Sequence, residues 1–199
     1  MPPGFAVATT SASLLERLRR PDPVATDWLR LHDLYAPLIR RWVARTPGVG
    51  SDADDLCQEV LAVLVAELPR FERGRDGSFR AWLRLVTVHR VRGWRRARAR
   101  RPAVACDPAE AFLSQLADPA GDLARQWDRD HDRHVVDRLL ALVRPDFTAP
   151  TWAAFEGLAL EARPAAAVAA GLGLSVDAVL QAKSRVLRRL RQEAGEFLR

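Results

Sequence analysis

The sequence predicts an all-α protein of two small helical domains joined by a flexible acidic linker. Strand signals are nearly absent: apolar residues recur at spacings of three and four, and Gly and Pro fall between such segments. Charge is segregated along the chain. Asp52, Asp54, Asp55, Glu59 and Glu67 fall in a stretch without a base, and twelve arginines between Arg70 and Arg101 then face only Glu72 and Asp76. Pro102 to Asp132 turns acidic and is broken by Pro102, Pro108, Pro119 and Gly121, while Lys183 to Arg199 is basic again. Two cationic modules and a Pro-punctuated connector follow from this pattern. The expected boundaries are an accessory segment at 1–23, a first domain at 24–101, a linker at 102–122 and a second domain at 123–199.

Helices are expected near 11–20, 24–45, 52–68, 78–100, 123–143, 149–161, 164–171 and 175–196. The connector 102–121 reads as loop, with room for a turn of helix at Ala109–Leu116. The helix at 52–68 starts with acids, which suit the positive end of its dipole. Leu56, Val60, Val63, Leu64 and Leu68 form its apolar stripe, and Asp55, Gln58 and Glu59 cluster on one side as i, i+3, i+4 neighbours. That cluster suits either the capped end of a surface helix or a docking face for a basic partner.

A glycine-rich loop follows, bracketed by Phe71 and Phe79, with Ser78 placed to cap the next helix. In that helix Trp82, Leu83, Val86 and Val91 form the apolar set, while Thr87, His89, Arg90, Arg92, Trp94, Arg95 and Arg96 decorate the remainder. Interleaved Trp and Arg after a loop suit single-stranded DNA, whose bases stack on rings and guanidinium planes. Trp82 reads better as a core residue, and Trp94 fits either role.

Residues 163–191 read as a helix-turn-helix. Pro164 is tolerated in a first turn, whose N–H groups have no internal partner. Val168 and Ala169 face inward, Gly173 supplies the positive φ of the turn, and Ser175 caps the second helix. Val179, Ala182, Val186 and Leu190 make the buried stripe of that helix, which leaves Gln181, Ser184, Arg185, Arg188 and Arg189 outward for base edges and phosphates. A helical hairpin with a solvated basic face is the plainer alternative.

Composition bounds the function. The chain has 199 residues, 48% hydrophobic content, ample for packed cores, and a net charge of +6. The isoelectric point near 10.7 is set by arginine, since Lys183 is the sole lysine. Arginine binds phosphate bidentately, so its clustering points to nucleic acid. Cys57 and Cys106 have no paired spacing, which argues against a disulfide framework or a zinc site and fits a reducing cytosol. No signal pattern and no long apolar run is present, so a soluble, intracellular protein without membrane partners is expected. His131-Asp132-Arg133-His134 lacks a third ligand nearby and reads as the solvated face of a charged helix. No GxxxxGK[ST] phosphate loop or G-x-S-x-G elbow occurs, so neither catalysis nor a cofactor is expected.

The run DADDLCQEVL…LPRFERGRDGSFRAWLRLVTVHRVRGWRRARARR resembles region 2 of bacterial extracytoplasmic-function sigma factors, a branch of the sigma-70 family. The tail TWAAFEGLALEARPAAAVAAGLGLSVDAVLQAKSRVLRRLR resembles region 4 of the same family. The resemblance implies that Asp55, Gln58 and Glu59 dock on the clamp helices of the polymerase β′ subunit. It implies that the Phe71–Phe79 loop, with Arg73, Arg75 and Ser78, captures an unstacked base of the minus-ten element. His89, Arg90, Trp94, Arg95 and Arg96 would then lie along the opening duplex. Extruding a base costs only a few kcal/mol, which stacking in a pocket can offset. Gln181, Lys183, Ser184, Arg185 and Arg188 would read the minus-thirty-five element, with region 4 also docking on the β flap. The linker would thread past the polymerase active-site channel, its charge mimicking nucleic acid. An anti-sigma protein is a further partner the resemblance allows.

Three positions depart from the family pattern: His89 stands where Asn is usual, Gly93 where Asp is common, and Leu180 where a base is common. A helix-turn-helix regulator working without polymerase would leave the Trp/Arg helix and the acidic face idle. A purely protein-binding helical adaptor would leave both basic surfaces unexplained.

Overall fold

The computed structural model describes residues 14–20, 22–71, 79–98 and 107–194. Among the described residues every regular element is helical. In chain order these are α1 (Leu14–Leu18), α2 (Ala25–Ala44), α3 (Ala53–Glu67), α4 (Phe79–Arg98), α5 (Pro108–Ala117), α6 (Asp122–Val143), α7 (Ala149–Phe155), α8 (Ala165–Leu172) and α9 (Val176–Ala194). Short tight turns precede α3 and follow α3 and α6, and α7 runs on into a wide π-type turn at Glu156–Leu160. The chain divides into two compact units, one from Leu14 to Val135 and one from Val136 onward.

In the first unit α2 presents Leu31, Leu34, Tyr35, Leu38, Ile39, Trp42 and Val43 inward at helical spacing. Against it α3 packs Leu56, Cys57, Val60, Leu61 and Leu64. The stripe expected for α3 is therefore observed, with Val63 only half-buried. Three leucines of α1 (Leu14, Leu15 and Leu18) are buried in the same unit, and Arg17 Nε donates to the buried Asp27 carboxylate at 3.1 Å. The unit thus begins before residue 24, because these leucines need a core and α2 provides it.

The connector also differs from expectation. Pro108–Ala117 forms a helix of nearly three turns, started by Pro108 and capped by Asp107, whose Oδ1 accepts from the N–H groups of Ala109 at 3.0 Å and Glu110 at 3.4 Å. Ala109, Leu113 and Leu116 are its buried face. The N-terminal part of α6, up to Val135, then adds Ala124, Trp127, His131 and Val135, all fully buried, so the unit ends beyond residue 101.

His131 consequently does not lie on a solvated face. The Asp132 carboxylate only accepts, so His131 Nδ1 donates to it at 3.1 Å, which leaves Nε2 as acceptor for the Tyr35 hydroxyl at 3.4 Å. His134 Nε2–H donates to the Leu34 carbonyl at 2.5 Å. Both rings thus tie α6 to α2 within this unit.

In the second unit two adjoining apolar clusters share α7 and α9. One joins Ala154, Val168, Ala169, Val179 and Ala182, and the other joins Val143, Trp152, Phe155 and Val186. Val168 and Ala169 are buried as expected, and so is the α9 stripe, with Leu190 partly covered. Gly173 has φ +64°, and the Leu174 N–H reaches back to the Ala169 carbonyl at 3.0 Å, closing α8 in a left-handed cap. Ser175 Oγ accepts from the Ala178 N–H at 3.1 Å and opens α9. Pro164 stands one residue earlier than a first-turn position, as the cap of α8.

Candidate functional site

The exposed face of α3 is acidic. Asp55 and, one helical turn on, Gln58 and Glu59 all point to solvent. Their neighbours are engaged: Asp54 pairs with Arg40, whose hydrogen bond holds the Asp54 carboxyl below the usual carboxylate range. Asp52 pairs with Arg98. Among the described residues Asp55 has no ion-pair partner, and Glu59 meets Arg90 of α4 only at 3.7 Å. The face expected to dock a partner is therefore presented, and it borders α4.

The buried side of α4 is turned relative to the sequence expectation. Phe79, Leu83, Arg84, Thr87, Val88 and Val91 face inward, while Trp82 and Val86 are half-buried. Thr87 is tolerated inside because its Oγ1 donates to the Leu83 carbonyl at 2.9 Å. Arg84, only 4% exposed, lies 3.6 Å from Asp128 of α6, and Arg80 pairs with Asp132 at 2.9 Å. Spacing alone could not find this phase, since the partners that admit a buried arginine lie far along the chain.

The residues expected to meet the minus-ten element divide accordingly. Arg73, Arg75 and Ser78 lie outside the described residues. Phe79 is 2% exposed and belongs to a ring cluster, 5.3 Å from Tyr35, 5.9 Å from Phe71 and 5.4 Å from Trp82. Its ring is thus a core member that fastens the end of α4, and Phe71, half-buried, meets it edge-on. His89, Arg90 and Arg96 are exposed on α4. His89 and Arg90 border a groove of about 280 Å³ with Val63, Glu67 and Val86.

Trp94 and Arg95 are half-buried beside α5. Arg98 stacks over the Trp94 ring at 5.0 Å, and both border a cleft of about 410 Å³ with Pro47, Gly48 and Pro108. Arg95 pairs with Asp107, and this hydrogen bond is the first reason the Asp107 carboxyl titrates below the usual range. Arg92 binds Glu110 at 2.6 Å and Ser114 Oγ at 3.0 Å. The acidic edge of α5 therefore covers one flank of the arginine helix, a contact that sequence reading did not reveal.

On α9, Gln181, Ser184, Arg185 and Arg188 are exposed and Lys183 is half-buried. Arg189, read from the sequence as outward-facing, is held between Asp146 at 2.8 Å and Glu193 at 2.6 Å. It ties α9 to the turn after α6 and is not presented to a partner.

Residues 31–101 match the family described as Sigma-70 region 2. That segment holds α3 and α4 with both of their surfaces, and over it the chain is similar to sigma factors of the sigma-70 family. No curated protein and no solved structure matches the chain. Among the described residues no single helix is long and apolar enough to cross a membrane.

Proposed function

We propose that this chain is an extracytoplasmic-function sigma factor that binds RNA polymerase core in the cytoplasm and directs it to promoters. The observation that carries the reading is the juxtaposition, inside the segment matching Sigma-70 region 2, of an exposed acidic face on α3 with an exposed cationic face on α4. Asp55, Gln58 and Glu59 dock on the β′ clamp helices. His89, Arg90, Trp94, Arg95 and Arg96 follow the opening minus-ten duplex, with Phe71, Arg73, Arg75 and Ser78 at the base-capturing loop. Phe79, being buried, contributes by fixing the end of that loop. The cap, turn and basic outer face of α8–α9 support duplex reading of the minus-thirty-five element by Gln181, Lys183, Ser184, Arg185 and Arg188, with the β flap as a second anchor.

Copurification tests the docking face. The wild-type chain is expected to comigrate with polymerase core and to initiate RNA at defined start points. The double variant Asp55→Arg with Glu59→Arg loses core binding while its helical circular dichroism is unchanged, since both residues are exposed. Unaltered affinity for core would overturn the assignment. A chain that shifts duplex DNA alone and never comigrates with core would be a polymerase-independent regulator.

A further inference from the structure

Two exposed residues of α9 have no polar chemistry to offer. Leu180 is 46% exposed, one turn after Val176 at 42%, and Leu172 at the end of α8 is 37% exposed. A leucine in water gains nothing for the fold, and the core of this unit is already filled by Val179, Ala182 and Val186. At 100° per residue Leu180 shares its side of the helix with Asp177, Gln181, Ser184 and Arg188. All four of those residues are exposed.

Two features point to a duplex groove as the occupant of this face. An apolar protein groove closing over Leu180 would also desolvate Arg188 and Asp177 on the same side. A major groove offers both needs at adjacent base pairs, with acceptors for Arg, Gln and Ser beside the C5-methyl of thymine, the one apolar group on a base edge there. Asp177 fits the same orientation, because its carboxylate repels backbone phosphates yet can accept from cytosine N4.

We infer that Leu180 is a specificity-determining residue of the α9 surface, selecting thymine by packing on its C5-methyl group, with Val176 flanking that contact. This rests on the proposed reading of α8–α9 as a duplex reader and adds the chemical feature that the duplex must carry.

The probe is a duplex pool with a randomised upstream segment, selected on the full chain bound to polymerase core. Each thymine in the enriched sequence is then replaced singly by deoxyuridine, which removes only the methyl group. At one or two adjacent thymines the replacement weakens binding about three- to fivefold, the size expected for one lost methyl contact. In Leu180→Ala the same replacement has no further effect, and in Leu180→Met the sensitivity persists. The inference is overturned if deoxyuridine is neutral at every position, or if wild type and Leu180→Ala lose affinity alike. It is equally overturned if Leu180→Ala releases core while leaving the enriched sequence unchanged, which would make the face a protein contact. An enriched pool with no upstream preference would instead defeat the duplex-reader assignment, and the inference with it.

Discussion

At Gly157 the wide turn after α7 approaches α8 so closely that a Cβ would stand 3.1 Å from one Val168 methyl and 3.4 Å from the other. Gly157→Ala should therefore cost about 1–3 kcal/mol, read as a lowered denaturation midpoint at unchanged slope. Val168→Ala in the same chain should recover part of that loss, because it removes the methyl that the new Cβ would crowd. Arg185 is exposed on α9, and Arg185→Ala should weaken promoter duplex binding by about 1–3 kcal/mol if it reads a base edge. A uniform loss across unrelated duplexes would assign it to phosphate. Residues whose roles are local were legible in the sequence: Ser175 as a cap and Gly173 at positive φ follow from backbone needs within a few positions. Arg189 and Phe79 were not, since their partners Asp146 and Tyr35 are brought close only by packing.

The arginines of α4 and the acids of α5 set up a competition between elements. Ion pairs this open to solvent add little to stability, so Asp107 and Glu110 cannot alone hold α5 in place. Burial of Ala109, Leu113 and Leu116 does that, and the acids mainly neutralise Arg92 and Arg95. Asp107→Asn with Glu110→Gln keeps a residue able to cap α5 while removing both charges. The free double variant should bind non-specific duplex about fivefold more tightly than wild type, with a steeper salt dependence. An unchanged salt slope would mean that Arg92 and Arg95 do not reach phosphate. Helical periodicity located α2, α3 and α9 but misplaced the inward side of α4. It assumes that apolar residues turn inward, whereas Arg84 is buried against an acid of α6. The helical character of the connector was legible only as a turn, because its Pro and acidic content also describes a loop.

At the scale of the molecule, the unit containing the Sigma-70 region 2 match extends to Val135 because Trp127 and His131 complete its core. Burial holds the His131 imidazole below its ordinary value of 6.5, and the Asp132 carboxylate only partly offsets this. The unfolded chain then takes up a proton that the folded one resists. Stability falls as pH drops below about 6.5 and levels off beneath the folded value. His131→Gln should flatten the dependence of melting temperature on pH between about 7 and about 5.5, where the carboxylates remain ionised. A slope equal to wild type would show that other groups govern it. The stripe Ala124, Trp127, His131 and Val135 was present in the sequence, yet nothing in it says which neighbour the stripe would meet. Lys183, half-buried on α9, carries the one side-chain amine of the molecule. An amine-selective acylating reagent therefore has a single side chain to modify, and the rate of that reaction reports, without any introduced label, whether α9 is occupied.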